Sequence, residues 1–362
     1  MKEIREILKE AASLPDGEQA VLATVVDLKG SGYRLPGARM LIKANGDATG
    51  TVSGGCLEAD VMERAKRVLE TGRAEVFTYD TTADENSVFS LNMGCRGILR
   101  ILLEAVDRNS PIIESLRQSY EKRESVVSAV VIRVSEGGKL NIGDRYFVGR
   151  PGLEAAPRGL SADLLTMATS SSGYQTIRYE IEDGFAEFAF EHIRPPVLLL
   201  ILGAGADAVP LASAACGLGW QVKCYDHRPA FLNRERLPEP EELILTDRDS
   251  APHLDADELT AIVSMNHNYD RDKAMLPAAL RSPAFYVGAL GPKKRTQQIM
   301  DELERPFTED ELARLYAPAG LDIGGDTPEA IAVSIVAEIQ SVLKHRGGGP
   351  LRDRQAPIYD RK

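Results

Sequence analysis

The stretch VLLLILGAGADAVPLASAACGLGWQVKCYDHRP, residues 197–229, decides how the C-terminal half of this chain is read. It opens with an apolar run of strand length. A glycine-rich turn, a helix-length stretch of small residues and a second apolar run follow. The second run ends in an acid, Asp226. Gly203, Gly205 and Ala208 fill the positions of a G-x-G-x-x-[GA] pattern. The first permits a tight turn, the second lets the backbone approach a pyrophosphate, and the third allows close helix–strand packing. A helix starting there aims free N–H groups and the positive end of its dipole at a phosphate. Asp226 stands 21 residues after Gly205, where a ribose-binding carboxylate belongs. Pro210 falls in the first helical turn, where proline is tolerated, and Asp207 adds a negative charge beside the phosphate position.

Outward from this unit, ELILT, AIVSM and AFYVG read as further short strands separated by helical stretches. That alternation predicts a parallel sheet covered on both faces, a Rossmann-like domain. Its last helix runs from Thr327 to about His345, with Thr327 as N-cap, Pro328 at the first position and an apolar stripe of Ile331, Ile335, Ile339 and Leu343. The loops at the strands' carboxyl ends are 264–268, 288–291 and 320–325, which is where ligands bind in such sheets. His267 is either an acid/base or ligand group, or a loop histidine with a structural hydrogen bond. Gly288 and Gly291 either let backbone approach a ligand or simply turn the chain. His192, His253 and His345 have no partner cluster. No HxxxH or CxxC spacing announces a metal site.

Arg194-Pro195-Pro196 marks a boundary, because two prolines enforce an extended connection. The expected organisation is a mixed α+β domain over 1–194, the Rossmann-like domain over 195–346 and a tail over 347–362. The fold class is therefore α/β, a mixed α+β domain followed by a parallel-sheet domain. In the first domain, residues 2–13 carry one apolar helical face, and 21–28 and 39–43 read as strands. Asn45-Gly46 signals a hairpin. Val61, Met62, Ala65, Val68 and Leu69 give a helix over Glu58–Thr71, capped by Gly72. A strand is expected at 98–106, a helix near 112–122, and strands in VVSAVVIRV and FAEFAFEHI.

The chain has 362 residues, 43% of them hydrophobic and 27% charged, and a net charge of −11. That size suits two domains. The negative balance argues against nucleic acid or an anionic membrane as the main partner, since both need clustered Lys and Arg. The longest apolar run is too short to span a bilayer. The first residues, MKEIREILKEAASL, lack the core of a secretory signal, so a cytoplasmic protein is expected. In that compartment the four cysteines are expected as thiols.

Two of those cysteines are unlike the others. Cys56 in SGGCLE and Cys95 in NMGCRG each follow a glycine at the edge of an expected element. A thiol at a helix N-terminus gains thiolate character, and Arg96 offers Cys95 a similar cation. Gly54 and Gly55 leave room for a bulky group to reach the sulfur of Cys56. A pair of soft thiolates suits sulfur transfer or a thiophilic metal centre. Cys216 and Cys224 read instead as small buried hydrophobes. The loop GSGYRLPGARM places Arg34 and Arg39 among glycines, either as an anion clamp or as two exposed arginines on a connection.

Taken together, GSGYRLPGARMLI, GTVSGGCLEADV, LNMGCRGILRILLE, ILGAGADAVPLA with YDHRP, VSMNHNYDRD, YVGALGPKKR and GLDIGGDTPEAIAVSIVAEI resemble the xanthine dehydrogenase accessory factors of the XdhC/CoxI family. The motifs occur in family order and span both domains, while 107–194 carries little of the likeness. The resemblance implies a maturation protein that binds the molybdenum cofactor, supports its sulfuration by a cysteine desulfurase and hands it to a xanthine dehydrogenase-type enzyme. It implies a homodimer, a chaperone rather than a catalyst, and Cys56 and Cys95 as the positions for cofactor or sulfur contact. The Rossmann-like domain would take a nucleotide, NAD(P) or another, or the nucleotide-like part of the cofactor. The family tends to show GCGG where this chain has Gly94-Cys95-Arg96-Gly97. The alternative is an NAD(P)-dependent oxidoreductase. It rests on Gly203, Gly205 and Asp226 alone, and the sequence offers no clear catalytic Lys–Asp, Tyr–Lys or Asp–His dyad in the second domain. A redox or nucleotide sensor that forms a Cys56–Cys95 disulfide is a third reading.

Overall fold

The computed structural model describes residues 2–80, 97–137, 139–169, 173–182, 184–248, 251–303, 306–356 and 358. The chain divides into two compact units, Glu3–Pro195 and Pro196–Lys362.

The first unit runs α1 (Lys2–Ala12), β1 (Ala20–Gly30), β2 (Arg39–Lys43), β3 (Ala48–Gly50), α2 (Glu58–Thr71), β4 (Glu75–Asp80), β5 (Gly97–Val106), α3 (Pro111–Glu121), β6 (Val126–Val134), β7 (Arg145–Phe147), α4 (Leu160–Thr169), β8 (Tyr174–Ile181) and β9 (Gly184–Ile193). Its strands form two sheets, ordered β3-β2-β1-β5-β4 and β7-β6-β9-β8, and every pairing is antiparallel. The expected helix over Glu58–Thr71 is observed at those bounds, and Gly72 (φ 65°) closes it by donating to the Val68 carbonyl at 2.9 Å. The Asn45-Gly46 hairpin joins β2 to β3.

Period two explains the layers. Along β1, Val21, Ala23 and Val25 pack under Val61, Ala65 and Val68 of α2. Ala20 and Leu22 face the other way, against Ile4 and Ile7 of α1 and Ile112 and Ile113 of α3. The second sheet is harder to see from sequence. Its even positions Ala186, Phe188 and Phe190 pack on Leu160, Leu164 and Met167 of α4. Its odd positions Glu187 and Glu191 are charged, yet they face the first sheet.

The two sheets therefore meet through ion pairs as well as apolar contacts. Val26, Leu102, Val130, Ile132 and Ala189 form a small apolar cluster between them. Around it Arg39 pairs with Glu191, and Arg100 binds Asp27 (2.7 Å) and Glu187 (2.8 Å) together. Arg145 reaches Glu104 at 2.7 Å. Arg39 is only 1% exposed and gives a second N–H to the Gly37 carbonyl at 2.8 Å.

The second unit runs β10 (Leu198–Leu202), α5 (Ala208–Gly217), β11 (Gln221–Asp226), β12 (Glu242–Leu245), β13 (Thr260–Ser264), α6 (Tyr269–Arg281), β14 (Tyr286–Ala289), α7 (Lys293–Asp301), α8 (Glu309–Ala313), β15 (Leu315–Tyr316) and α9 (Pro328–Leu343). The strands lie in the order β12-β11-β10-β13-β14-β15, and all pairings are parallel. That is the doubly wound order, whose chain reverses direction between β10 and β13 and so opens a crevice there. Thr327 caps α9 as expected, its hydroxyl accepting from Ala330 N–H at 3.3 Å. Ile335 and Ile339 of that helix pack with Leu211 and Ala215 of α5. The edge strand β15 is two residues long, too short to leave a pattern in sequence. Among the described residues, no helix is long and apolar enough to cross a membrane.

Replacing Arg39 by Met is expected to destabilise the first unit by about 3–5 kcal/mol, because Glu191 is left charged and enclosed without its partner. Adding Glu191→Gln should recover part of that loss. Urea unfolding of the two single variants and the double variant measures the coupling, and strictly additive effects would contradict it.

Candidate functional site

Each unit presents its own cluster of candidate residues. In the second unit it lies at the carboxyl ends of β10 and β13. Gly203 (φ 109°) is wedged against the loop after β13: a Cβ there would stand 2.7 Å from the Met265 carbonyl and 2.9 Å from Asn266 backbone. Only glycine fits, for both reasons. The side of Gly205 is more open, and the nearest atom to a Cβ there would be His267 Cδ2 at 3.9 Å.

Asp226, expected as the ribose acceptor, is differently engaged. Its Oδ2 accepts the Ala204 N–H at 2.7 Å, and its two oxygens take the Nε and Nη2 groups of Arg228 at 2.9 and 2.7 Å. The Arg228 backbone N–H adds a bond at 2.9 Å. Burial pushes the Asp226 carboxyl up, but these donors outweigh it and hold the pKa at about 2. The acid thus fixes the glycine-rich turn from behind.

His267 sits in left-handed backbone (φ 53°), and its Nε2 lies 2.9 Å from Asp207 Oδ2. No local pattern announces an Asp–His dyad, yet here is one, made by residues 60 positions apart. The Asp207 carboxylate beside the phosphate position is hydrogen-bonded to this imidazole. Below it, Ser264 donates to Asp272 Oδ1 at 2.8 Å, Asn266 donates to the same oxygen at 3.1 Å, and Arg295 pairs with Asp272 Oδ2. Gly288 is a packing glycine, since a Cβ there would meet the Tyr286 ring at 2.8 Å and Ala319 at 3.0 Å. Gly291 (φ 128°) turns the chain beside Arg295.

In the first unit, Gly30 at the end of β1 pairs with Gly97 at the start of β5. Tyr33, in the loop leaving β1, lies on Gly54, where a Cβ would stand 2.5 Å from its ring. Tyr33 is 67% exposed, and Cys56 is an exposed free thiol. The loop that carries Cys56 is wrapped around one carboxylate. Glu58 accepts backbone N–H groups from Val52 (3.2 Å), Ser53 (2.9 Å), Gly54 (3.1 Å), Gly55 (2.8 Å) and Leu57 (3.2 Å). It also takes the hydroxyls of Thr51 and Ser53. Partial burial raises the Glu58 carboxyl, but Ser53, Thr51 and the loop N–H groups bring its pKa down to about 2. The positive φ of Gly54 (85°) and Gly55 (116°) turns these donors inward. The loop N–H groups on either side of Cys56 are therefore given to Glu58.

Arg34 and Arg39 do not form a clamp. Arg34 pairs with Glu3, whose other oxygen accepts the Arg39 N–H at 2.8 Å. The Arg39 side chain is enclosed between the sheets with Glu191. Cys95, with Gly94 and Arg96, lies outside the described residues. Cys216 and Cys224 are buried, as the sequence implied, and burial pushes the Cys224 thiol up to about 12.

Residues 13–80 match the XdhC and CoxI family, and residues 199–339 match the XdhC Rossmann domain. A probable xanthine dehydrogenase subunit from Bacillus subtilis is 30% identical over 92% of this chain and 96% of its own length. The chain belongs to the XdhC and CoxI family. A molybdenum cofactor insertion chaperone, PaoD of Escherichia coli, is 26% identical over 94% of this chain and 89% of its own. The crystal structure of a xanthine dehydrogenase from Bacillus halodurans superimposes with a TM-score of 0.75 at 26% identity, covering 96% of this chain and 97% of that one. The roles of two residues of the site were not read in sequence. Glu58 is foreshadowed by a hydroxyl pair and a Gly-Gly pair just before an acid that opens a helix. Asp207 had a visible charge but an invisible partner.

Glu58→Gln should lower the melting temperature at neutral pH. The folded pKa lies below the ordinary carboxylate value of 4.5, so the stabilisation is complete above that pH and is lost as pH falls toward 2. The gap between wild type and variant should narrow below about pH 4.5. Calorimetric scans at pH 7 and pH 3.5 check this, and a gap independent of pH would refute it.

Proposed function

We propose that this protein binds the molybdenum cofactor as cargo, supports its sulfuration by a cysteine desulfurase and delivers it to a xanthine dehydrogenase-type enzyme. The observation that supports this most is the exposed thiol of Cys56, carried on a glycine turn that Glu58 braces, in a chain of this family. A cofactor handler needs a soft donor that a large planar group can reach. The space over Gly55 is open, with the exposed Tyr33 ring lying on Gly54 beside it, and sulfur suits a thiophilic metal or a sulfur-transfer step. Cys95 is the second thiol assigned to this role. The names of two relatives, a xanthine dehydrogenase subunit and a cofactor insertion chaperone, agree with the reading. The working form is proposed to be a cytoplasmic homodimer.

The Rossmann crevice gives a second reading one observation of its own. The Asp207–His267 pair stands over Gly205, where an oriented imidazole has the geometry of an acid/base group. This favours an NAD(P)-dependent oxidoreductase more than the sequence alone did. Asp226 favours it less, because its oxygens are already engaged.

The two readings separate in one set of measurements. Purified protein mixed with molybdenum cofactor should retain it after gel filtration, and Cys56→Ala and Cys95→Ala should each reduce retention about tenfold or more. A tenfold loss corresponds to about 1.4 kcal/mol of contact free energy. Equal retention by all three proteins would remove the thiols from the site. Turnover of NADPH with small carbonyl substrates, abolished by His267→Asn, would favour the oxidoreductase. Native mass spectrometry of the same sample reads the subunit count.

A further inference from the structure

The nucleotide reading of the Gly203–Gly205 turn does not say which ribose the crevice accepts, and the choice of ribose rests on that reading. A carboxylate offers about four acceptor positions. At Asp226 four donors occupy them: Ala204 N–H, Arg228 N–H, Arg228 Nε and Arg228 Nη2, at 2.7 to 2.9 Å. The side chain is 1% exposed. A ribose diol, which donates two hydroxyl protons, finds no open acceptor on this group.

What the strand end does offer is positive charge. Arg228 carries five N–H donors, and among the described residues those on Nε and Nη2 that face Asp226 are the engaged ones. Its guanidinium lies over the Phe231 ring at 4.0 Å, and that stacking fixes the plane of the fork. Arg236 lies over the same ring at 4.7 Å and is anchored by its Nη1 to the carbonyls of Ala204 and Phe231, at 3.3 and 3.2 Å. Arg236 is thus fastened directly to the glycine-rich turn. Burial, together with the charges of Arg271, Arg228 and Arg248, lowers the His227 imidazole from its ordinary range, against the pull of Asp226. Arg228 balances the Asp226 carboxylate and Arg236 holds the turn beside it, in a chain whose net charge is −11.

We propose that the ribose end of this crevice selects a nucleotide whose adenosine ribose carries a phosphomonoester, and that Arg228 is the residue that binds this phosphate. An arginine beside the second strand is the recognised answer to a ribose phosphate, where a free acid answers a bare diol. Here both residue types are present, and the arginine has neutralised the acid. A phosphate dianion gains charge-assisted bonds from the remaining guanidinium N–H groups. A bare diol gains nothing equivalent. The 2′-phosphate of NADP and the 3′-phosphate of coenzyme A share this chemistry.

Isothermal titration of the full chain with NADP+, NAD+ and coenzyme A tests the proposal. NADP+ or coenzyme A is expected to bind at least about tenfold tighter than NAD+, and whichever is tighter identifies the phosphate position. Arg228→Met should bring the ratio to NAD+ close to one, and Arg228→Lys should keep part of it. Arg228→Met also leaves Asp226 short of donors, so a measurement on the wild type serves as an independent check. The advantage of the phosphorylated nucleotide should shrink when NaCl rises from about 50 mM to about 500 mM, as screening predicts. Equal affinities for all three nucleotides, or a ratio untouched by Arg228→Met, would overturn the selectivity and leave the nucleotide reading standing. No binding of any nucleotide would overturn the nucleotide reading itself.

Discussion

A glycine-rich turn holds one shape only if its inward N–H groups meet acceptors, and in this chain those acceptors are its own carboxylates. Asp226 holds the turn at Ala204. Glu58 gathers the loop from Val52 to Leu57. Glu338 takes both the Tyr286 hydroxyl, at 2.6 Å, and the Gly320 N–H, at 2.8 Å. An unpaired buried N–H costs about 1–3 kcal/mol, so a carboxylate that accepts one supports backbone that would otherwise lack a partner, and Glu58 does so for five N–H groups. The same device recurs on both the antiparallel and the parallel scaffold. It explains how glycines that favour disorder can still shape sites.

The device has an electrostatic side. Glu58 and Asp226 stay charged because donors surround them, which is why both titrate near 2. Between the sheets of the first unit the same logic appears with arginines as donors: Glu191 with Arg39, and Glu187 and Asp27 with Arg100. Replacing such pairs by apolar residues often leaves stability equal or better, so their presence is not explained by stability alone. They do fix register. Glu187 and Glu191 share one face of β9, and a one-residue slip would turn both away from their arginines.

The sequence spoke clearly where a signal was local. The β10–α5–β11 unit, the Glu58–Thr71 helix with its Gly72 cap and the Thr327 cap of α9 each lie within a few turns of chain, and their patterns are periodic. The second antiparallel sheet was only partly legible, because β7 is short and the charged face of β9 reads as solvent-exposed. Arg39 illustrates the limit: its partner lies 152 residues away, so an enclosed arginine read as either an anion clamp or an exposed residue. Asp226 illustrates another. Its position was right for a ribose, but Arg228, two residues on, folds back onto it, and spacing alone does not show side-chain direction. The exposed thiol of Cys56 was read correctly in place, while the acceptor beneath its loop was not.

The two ends of the parallel sheet have a bearing on how the protein behaves in a crowded solution. The strands there are four residues in β12 and two in β15. Unpaired strand edges act as templates on which other chains can add, and the hazard grows with edge length. Glu242 on β12 adds a charge, bridged to Lys223 of β11 at 2.7 Å. At the opposite end Tyr316 stacks on Tyr286 at 4.5 Å, which ties the last strand inward. A sheet finished in this way gives a neighbouring molecule little to extend. The ends of this sheet are thereby poor templates for strand addition.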